Sequence, residues 1–122
     1  EHHILESSCF AGMKSLRAYH SAILEVHQGC FVNCLRLRRV NLSRSHWVGE
    51  SAFLNCVSLK LVESDSVVYV GNSAFENCFS LTTVRFPSCS HVGHNAFFNC
   101  QNIIVADFSA DITKGNIIQS IF

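Results

Sequence analysis

Apolar residues recur along this chain at fixed places in a unit of 22 residues. The stretch Val70-Gly71-Asn72-Ser73-Ala74-Phe75-Glu76-Asn77-Cys78 returns one unit earlier, as Val48, Gly49, Ala52, Phe53, Asn55 and Cys56. It returns one unit later as Val92, Gly93, Ala96, Phe97, Asn99 and Cys100. A further step back lies Val26, followed by Cys30, Phe31, Asn33 and Cys34. One more unit, a residue shorter, reads Ser8-Cys9-Phe10-Ala11-Gly12-Met13. The chain is therefore an array, with units at 5–25, 26–47, 48–69, 70–91 and 92–113 inside a single domain over 1–122. Residues 114–122 form a tail or partial repeat that opens with Gly115-Asn116.

The second half of each unit alternates. Leu81-x-x-Val84-x-Phe86-Pro87 is matched by Leu37-x-x-Val40-x-Leu42, Leu59-x-x-Val62-x-Ser64 and Ile103-x-x-Ala106-x-Phe108, with Leu16-x-x-Tyr19 in the first unit. Alternation with a period of two over four or five residues predicts a short strand. One such strand cannot close a core, so each unit must stack on the next, strand beside strand about 4.8 Å apart. The expected fold is an α/β repeat solenoid: a leucine-rich-repeat superhelix with a short parallel β-sheet on its concave face. Turns or short 3-10 segments are expected opposite the sheet.

The pattern Val-Gly-x-x-Ala-Phe-x-x-Cys-x-x-Leu-x-x-Val-x-Phe-Pro, complete in Val70–Pro87, resembles the BspA-like (treponemal-type) leucine-rich repeats. The departures sit toward the ends: Met13 for the Cys, His27 for the Gly, and Asp-containing sequence after Phe108. The resemblance implies a secreted or surface-exposed protein of a bacterium or protozoan parasite, in an extracellular, cell-surface or periplasmic setting. It implies a non-enzymatic adhesion or protein-binding module, whose partner would be a protein such as a host matrix or envelope protein. A structural unit that self-assembles through uncapped ends is the alternative.

Composition narrows the function classes. Nine Lys and Arg balance nine Asp and Glu, which argues against a strongly basic nucleic-acid binder. Hydrophobic residues make up 48% and charged residues 15%, against a usual ~25% charged, so the chain has a core to bury. No apolar run approaches the roughly 20 residues of a membrane helix. The chain begins at Glu1 without a signal-peptide pattern, and so reads as a mature form or a fragment.

The repeated positions have structural readings. Phe10, Phe31, Phe53, Phe75 and Phe97 are expected to stack as a ladder. Asn33, Asn55, Asn77 and Asn99 suit turns, because Asn bonds turn backbone and tolerates a left-handed conformation. Cys34, Cys56, Cys78 and Cys100 form a third ladder, where a buried thiol acts as a small hydrophobe. Their side chains run in parallel rather than converging, which favours free thiols. Cys30 and Cys34 give only a weak zinc signal, and His2, His3, His91 and His94 lack a repeat-placed carboxylate. A Cys89–His91 catalytic pair lacks a third, orienting group. The sequence therefore calls for no cofactor, no metal and no catalytic residue.

Alternate strand residues would form exposed columns. One runs Ala18, Arg39, Leu61, Thr83, Val105, and the next runs His20, Asn41, Glu63, Arg85, Asp107. The second alternates in charge and reads either as a self-paired ladder or as a recognition stripe. Trp47, Tyr69 and His91 would form an aromatic column at the turn before each Val. Arg39, Leu61, Arg85, Trp47 and Tyr69 are the expected partner-binding residues. Residues 1–47 carry six Lys and Arg against three Glu, and residues 48–122 carry three against six acidic residues. With the apolar tail Ile117, Ile118, Ile121 and Phe122, this asymmetry predicts a homo-oligomer formed through the ends.

Overall fold

The structure, a computed structural model, describes residues 2–5, 10–20 and 22–109. Ten short strands run in chain order. They are β1 (His2–Leu5), β2 (Ala18–Tyr19), β3 (Ala22–Val26), β4 (Arg39–Val40), β5 (Trp47–Val48), β6 (Leu61–Glu63), β7 (Tyr69–Val70), β8 (Thr83–Arg85), β9 (His91–Val92) and β10 (Val105–Asp107). All pairings are parallel, and the described residues contain no helix. The chain is a leucine-rich-repeat solenoid of parallel strands, with its Leu-x-x-Val segments in the β-conformation as the alternation predicts.

Each unit supplies two strands rather than the one expected. The even-numbered strands form the rows β2-β4 and β6-β8-β10, and the odd-numbered strands form a second sheet in the order β1-β3-β5-β7-β9. Trp47, Tyr69 and His91 therefore lie in strands, not in a turn. Strands such as Trp47–Val48 have one exposed and one buried residue. Two residues are too few to show an alternation, which is why the second sheet leaves no trace in the hydrophobic pattern. Residues His2–Leu5, ahead of the first expected unit boundary, pair with Ala22–Val26 across a bulge between His3 and Ile4.

The third wall is made of turns, and its backbone is bonded from rung to rung. Phe31 N donates to Ala52 O at 2.8 Å, Phe53 N to Ala74 O at 2.7 Å, and Phe75 N to Ala96 O at 2.7 Å. Such tight turning needs left-handed backbone at two places in each unit. One column is Gly29, Ser51, Ser73 and Asn95, with φ of 64, 55, 58 and 56°. The other is Gly12, Asn33, Asn55, Asn77 and Asn99, with φ of 73, 61, 64, 64 and 63°. Gly and Asn bear this conformation at least cost, which explains their recurrence. The second sheet leads into its turn so closely that Gly71 has no room for a side chain. A Cβ there would lie 2.7 Å from the Glu50 amide nitrogen.

Three ladders run along the stack, those of Phe and Cys inside the walls and that of Asn on the surface of the turn wall. The rings of Phe31, Phe53, Phe75 and Phe97 stack at 5.1, 5.1 and 5.2 Å with planes 4, 4 and 3° apart. Phe10 continues the stack onto Phe31 at 5.1 Å. Asn55, Asn77 and Asn99 each donate Nδ2 to the Oδ1 of the preceding Asn, at 2.8, 2.8 and 3.0 Å. These amides bond one another, a use beyond the expected bond to turn backbone. The thiols of Cys34, Cys56, Cys78 and Cys100 donate to the carbonyls of Phe10, Phe31, Phe53 and Phe75 at 3.1, 3.1, 3.2 and 3.0 Å. Ser64 breaks an otherwise apolar column with Leu42, Phe86 and Phe108. Its hydroxyl is occupied as acceptor for the Ser66 and Val67 amides.

Candidate binding surfaces

The thiols are placed for packing. Cys34, Cys56, Cys78, Cys89 and Cys100 are free and buried, whereas Cys30 is disulfide-bonded. The four ladder thiols are free, as their parallel side chains favour; the disulfide falls on Cys30, outside that ladder. Cys30 shares its column with Ala52, Ala74 and Ala96, where a small residue is all the repeat demands, so its pairing left no mark in the pattern. Burial pushes the thiols of Cys34, Cys56 and Cys78 up from the ordinary value. Burial also raises Cys89 to about 11, although a backbone hydrogen bond with His91 partly opposes it. The Cys89 thiol donates to that carbonyl at 3.2 Å rather than engaging the ring. The exposed His91 ring instead stacks on Tyr69, with centroids 4.6 Å apart and planes 3° apart. Cys34, Cys56, Cys78 and Cys89, protonated and buried, lack the thiolate that nucleophilic or metal-binding chemistry requires, whereas a hydrogen bond from Cys78 shifts Cys100 down against the effect of burial. Among the described residues, no three His, Cys, Asp or Glu side chains gather as metal ligands do.

The five residues expected to bind a partner fall on three sheets: Arg39 on β2-β4, Leu61 and Arg85 on β6-β8-β10, and Trp47 and Tyr69 on the five-stranded sheet. Arg39 is exposed in β4 and pairs in register with Ala18. Leu61, 40% exposed, pairs with Thr83, which also faces Val105 across β8 and β10. Arg85 is exposed and stands between Glu63 and Asp107 in the next column. The first column and the Glu63–Arg85–Asp107 part of the second are therefore in the expected register. No ion pair joins Arg85 to either neighbour; the ion pair found among the described residues links His27 to Glu25 at 3.6 Å. The three charges, with Ser43, Ser64, Asp65 and Pro87, instead line an open depression of about 490 Å³.

Trp47 and Tyr69 belong to the five-stranded sheet. Trp47 is 54% exposed and its ring lies 5.2 Å from that of the half-buried Tyr69. Glu25 continues this row, in register with Trp47, and lines a smaller depression of about 230 Å³ with His27, Glu50, Trp47 and Tyr69. Ile117, Ile118, Ile121 and Phe122, the expected oligomer contacts, lie outside the described residues.

One surface escaped the column reading. Arg38 N donates to Arg17 O at 2.8 Å and Lys60 N to Arg38 O at 3.4 Å. Arg17, Arg38 and Lys60 thus occupy adjacent rungs one position ahead of the Ala18–Arg39–Leu61 column, and all three are exposed. Arg17, Arg36, Arg38 and Ser58 enclose a depression of about 210 Å³. The charge excess of residues 1–47 was legible. That it falls in one column follows from the same offsets of 21 and 22 that set Ala18, Arg39 and Leu61 in line, taken one position earlier.

Parallel sheets and a turn wall, stacked at the repeat period and carrying exposed columns, define a leucine-rich-repeat protein of the β-solenoid kind. The particular family is shown by sequence: residues 2–116 match the BspA type leucine rich repeat region in six copies, and the chain belongs to that family. No curated protein matches it by sequence. Among solved structures it is similar to a leucine rich cell surface protein from Faecalibacterium prausnitzii A2-165, with TM-score 0.81 and 24% identity over 96% of this chain and 31% of that one. It is also similar to a leucine-rich repeat protein from Bacteroides ovatus ATCC 8483, with TM-score 0.68 and 24% identity over 84% of this chain and 35% of that one. The chain spans about a third of the length of these two structures, and the likeness to them is one of fold. Among the described residues, no helix is long and apolar enough to cross a membrane.

Proposed function

We propose that this chain is a non-enzymatic protein-binding module of an adhesive surface protein, acting outside the cytoplasm. The observation that carries the reading is the unspent column on β6, β8 and β10. Glu63, Arg85 and Asp107 stand in register, exposed, and no ion pair closes between them. Had they been a self-satisfied ladder, Arg85 would hold a neighbouring carboxylate. Beside them Leu61 exposes apolar surface, and Arg39 precedes it on β4. An apolar centre with a fringe of separated charges is the arrangement by which protein interfaces combine affinity with selectivity. Trp47 and Tyr69 offer a second contact area, since exposed aromatic rings anchor partners. Membership of a leucine-rich-repeat family and likeness in fold to a cell surface protein support the setting.

The test is binding to immobilised extracellular matrix and envelope proteins, measured for the wild type and for two variant sets. One set is Arg39→Ala, Leu61→Ala and Arg85→Ala; the other is Trp47→Ala and Tyr69→Ala. Each set should fold normally, and at least one should lose the partner that the wild type captures. Binding that survives both sets would place the site elsewhere and overturn the assignment.

A further inference from the structure

We propose that the Arg17–Arg36–Arg38–Lys60 surface is a binding site for a sulfated polysaccharide, separate from the protein-binding surfaces above. Three exposed arginines, Arg17, Arg36 and Arg38, line the depression, and exposed Lys60 follows Arg17 and Arg38 on the next bonded rung. Like charges on facing rungs repel, so a column of this kind is unfavourable in the isolated fold. No carboxylate lines the depression, and no ion pair to these residues forms among the described residues. The Ser58 hydroxyl, the remaining wall, donates to Leu35 O at 2.7 Å. The free donors facing the depression are therefore guanidinium N–H groups, whose fork geometry suits the oxygens of sulfate and phosphate.

The form of the site selects among polyanions. The cations repeat along the solenoid axis about 4.8 Å apart, so they address a ligand whose negative groups also repeat along a chain. The wall contains no aromatic residue. Single-stranded nucleic acid is held by base stacking as well as by charge, and here there is no ring to stack on. A chain bearing sulfate groups and no aromatic bases fits the donors present.

The experiment is calorimetric titration of the full chain with a heparin octasaccharide at low salt. The comparison ligands are a hyaluronan octasaccharide, which carries carboxylates without sulfate, and a single-stranded RNA octamer. Heparin should bind most tightly, with an affinity that falls linearly in log salt. Arg38→Gln should weaken it about tenfold and make the salt slope shallower by about one. Arg44→Gln removes the same charge from an exposed position outside the depression and should weaken binding less than about twofold. Arg38→Gln should also leave the thermal midpoint unchanged or raise it, since it removes repulsion rather than a contact. Any of three results overturns the proposal: no heparin binding by the wild type, equal losses for Arg38→Gln and Arg44→Gln, or tighter binding of hyaluronan or RNA than of heparin. Loss of protein binding by the Arg85 or Trp47 variants with heparin binding intact supports a site separate from the protein-binding surfaces.

Discussion

The asparagine ladder offers a quantitative test of how the turn wall is held. Asn77 donates Nδ2 to Asn55 Oδ1 at 2.8 Å, accepts from Asn99 Nδ2 at 3.0 Å, and holds a φ of 64°. Two separable contributions follow. Each hydrogen bond has a net worth of about 0.5–1.5 kcal/mol, and half-exposure puts these two toward the low end. Removing both costs about 1–2 kcal/mol. The left-handed backbone adds about 1–2 kcal/mol for a residue with an ordinary Cβ and almost nothing for glycine. Asn77→Gly should therefore lose about 1–2 kcal/mol and Asn77→Ala about 2–4 kcal/mol. The first repeat already carries the glycine solution, in Gly12 at φ 73°. Urea unfolding followed by far-ultraviolet circular dichroism and by the fluorescence of Trp47, the single tryptophan, gives both values and tests whether the array melts as one unit. Equal losses for the two variants would refute the backbone contribution. A glycine variant as stable as the wild type would refute the hydrogen-bonded ladder.

The remaining expectations concern the core, the close approach, the thiols and assembly. Phe75→Ala removes a fully buried ring stacked on both sides and should cost about 3–5 kcal/mol in denaturant unfolding; a loss below about 1 kcal/mol would show an unburied ring. Gly71→Ala drives a Cβ into the Glu50 backbone and should cost about 1–3 kcal/mol, while alanine at the open Gly12 site meets no neighbour and is penalised only by its φ. Cys89 has its folded value raised from 9.0 to about 11, so its protonated form is favoured by folding. Its contribution is fully present below pH 9 and is lost as pH rises toward about 11, which a Cys89→Ala variant should flatten in a pH series of unfolding midpoints. The five free thiols should react slowly with a thiol reagent in the native state and promptly after unfolding; rapid native labelling would contradict their burial. Sedimentation at micromolar concentration should show a homo-oligomer that weakens when residues 117–122 are removed, and a monomer throughout would refute assembly through the tail.

Where equivalent residues touch equivalent residues, the sequence is a direct record of the structure. A Phe every 22 residues is a stack of rings, and a Cys every 22 residues is a row of thiols. The exposed columns were legible for the same reason, since Leu61 must face Thr83 once Val62 faces Val84. What stayed hidden lacked this redundancy. From β5 onward the second sheet is built from two-residue strands, each burying a single Val, and a lone buried position shows no alternation. The Cys30 disulfide occupies a position that elsewhere holds alanine, so size explained it without chemistry. The mutual bonding of the asparagine side chains depends on rotamers that residue identity does not specify. The arginine surface lies one position ahead of the alternating strand residues, outside the segment whose period marks exposed columns.

The rung-to-rung bonding makes length itself a variable of this protein. Every ladder here joins a residue to its counterpart in the adjoining turn, and nothing in the ladders distinguishes the second neighbour from the first. Excising residues 48–69 would set Phe75 on Phe31 and Asn77 on Asn33, and offer the Cys78 thiol the carbonyl of Phe31. Duplicating the same stretch would insert a turn whose both faces are already complementary to its new contacts. Whole-turn gain or loss is therefore structurally silent, while a single inserted residue throws every ladder beyond it out of phase. Such a chain diversifies by recombination in steps of one turn, and each step lengthens or shortens the exposed columns without altering the scaffold beneath them.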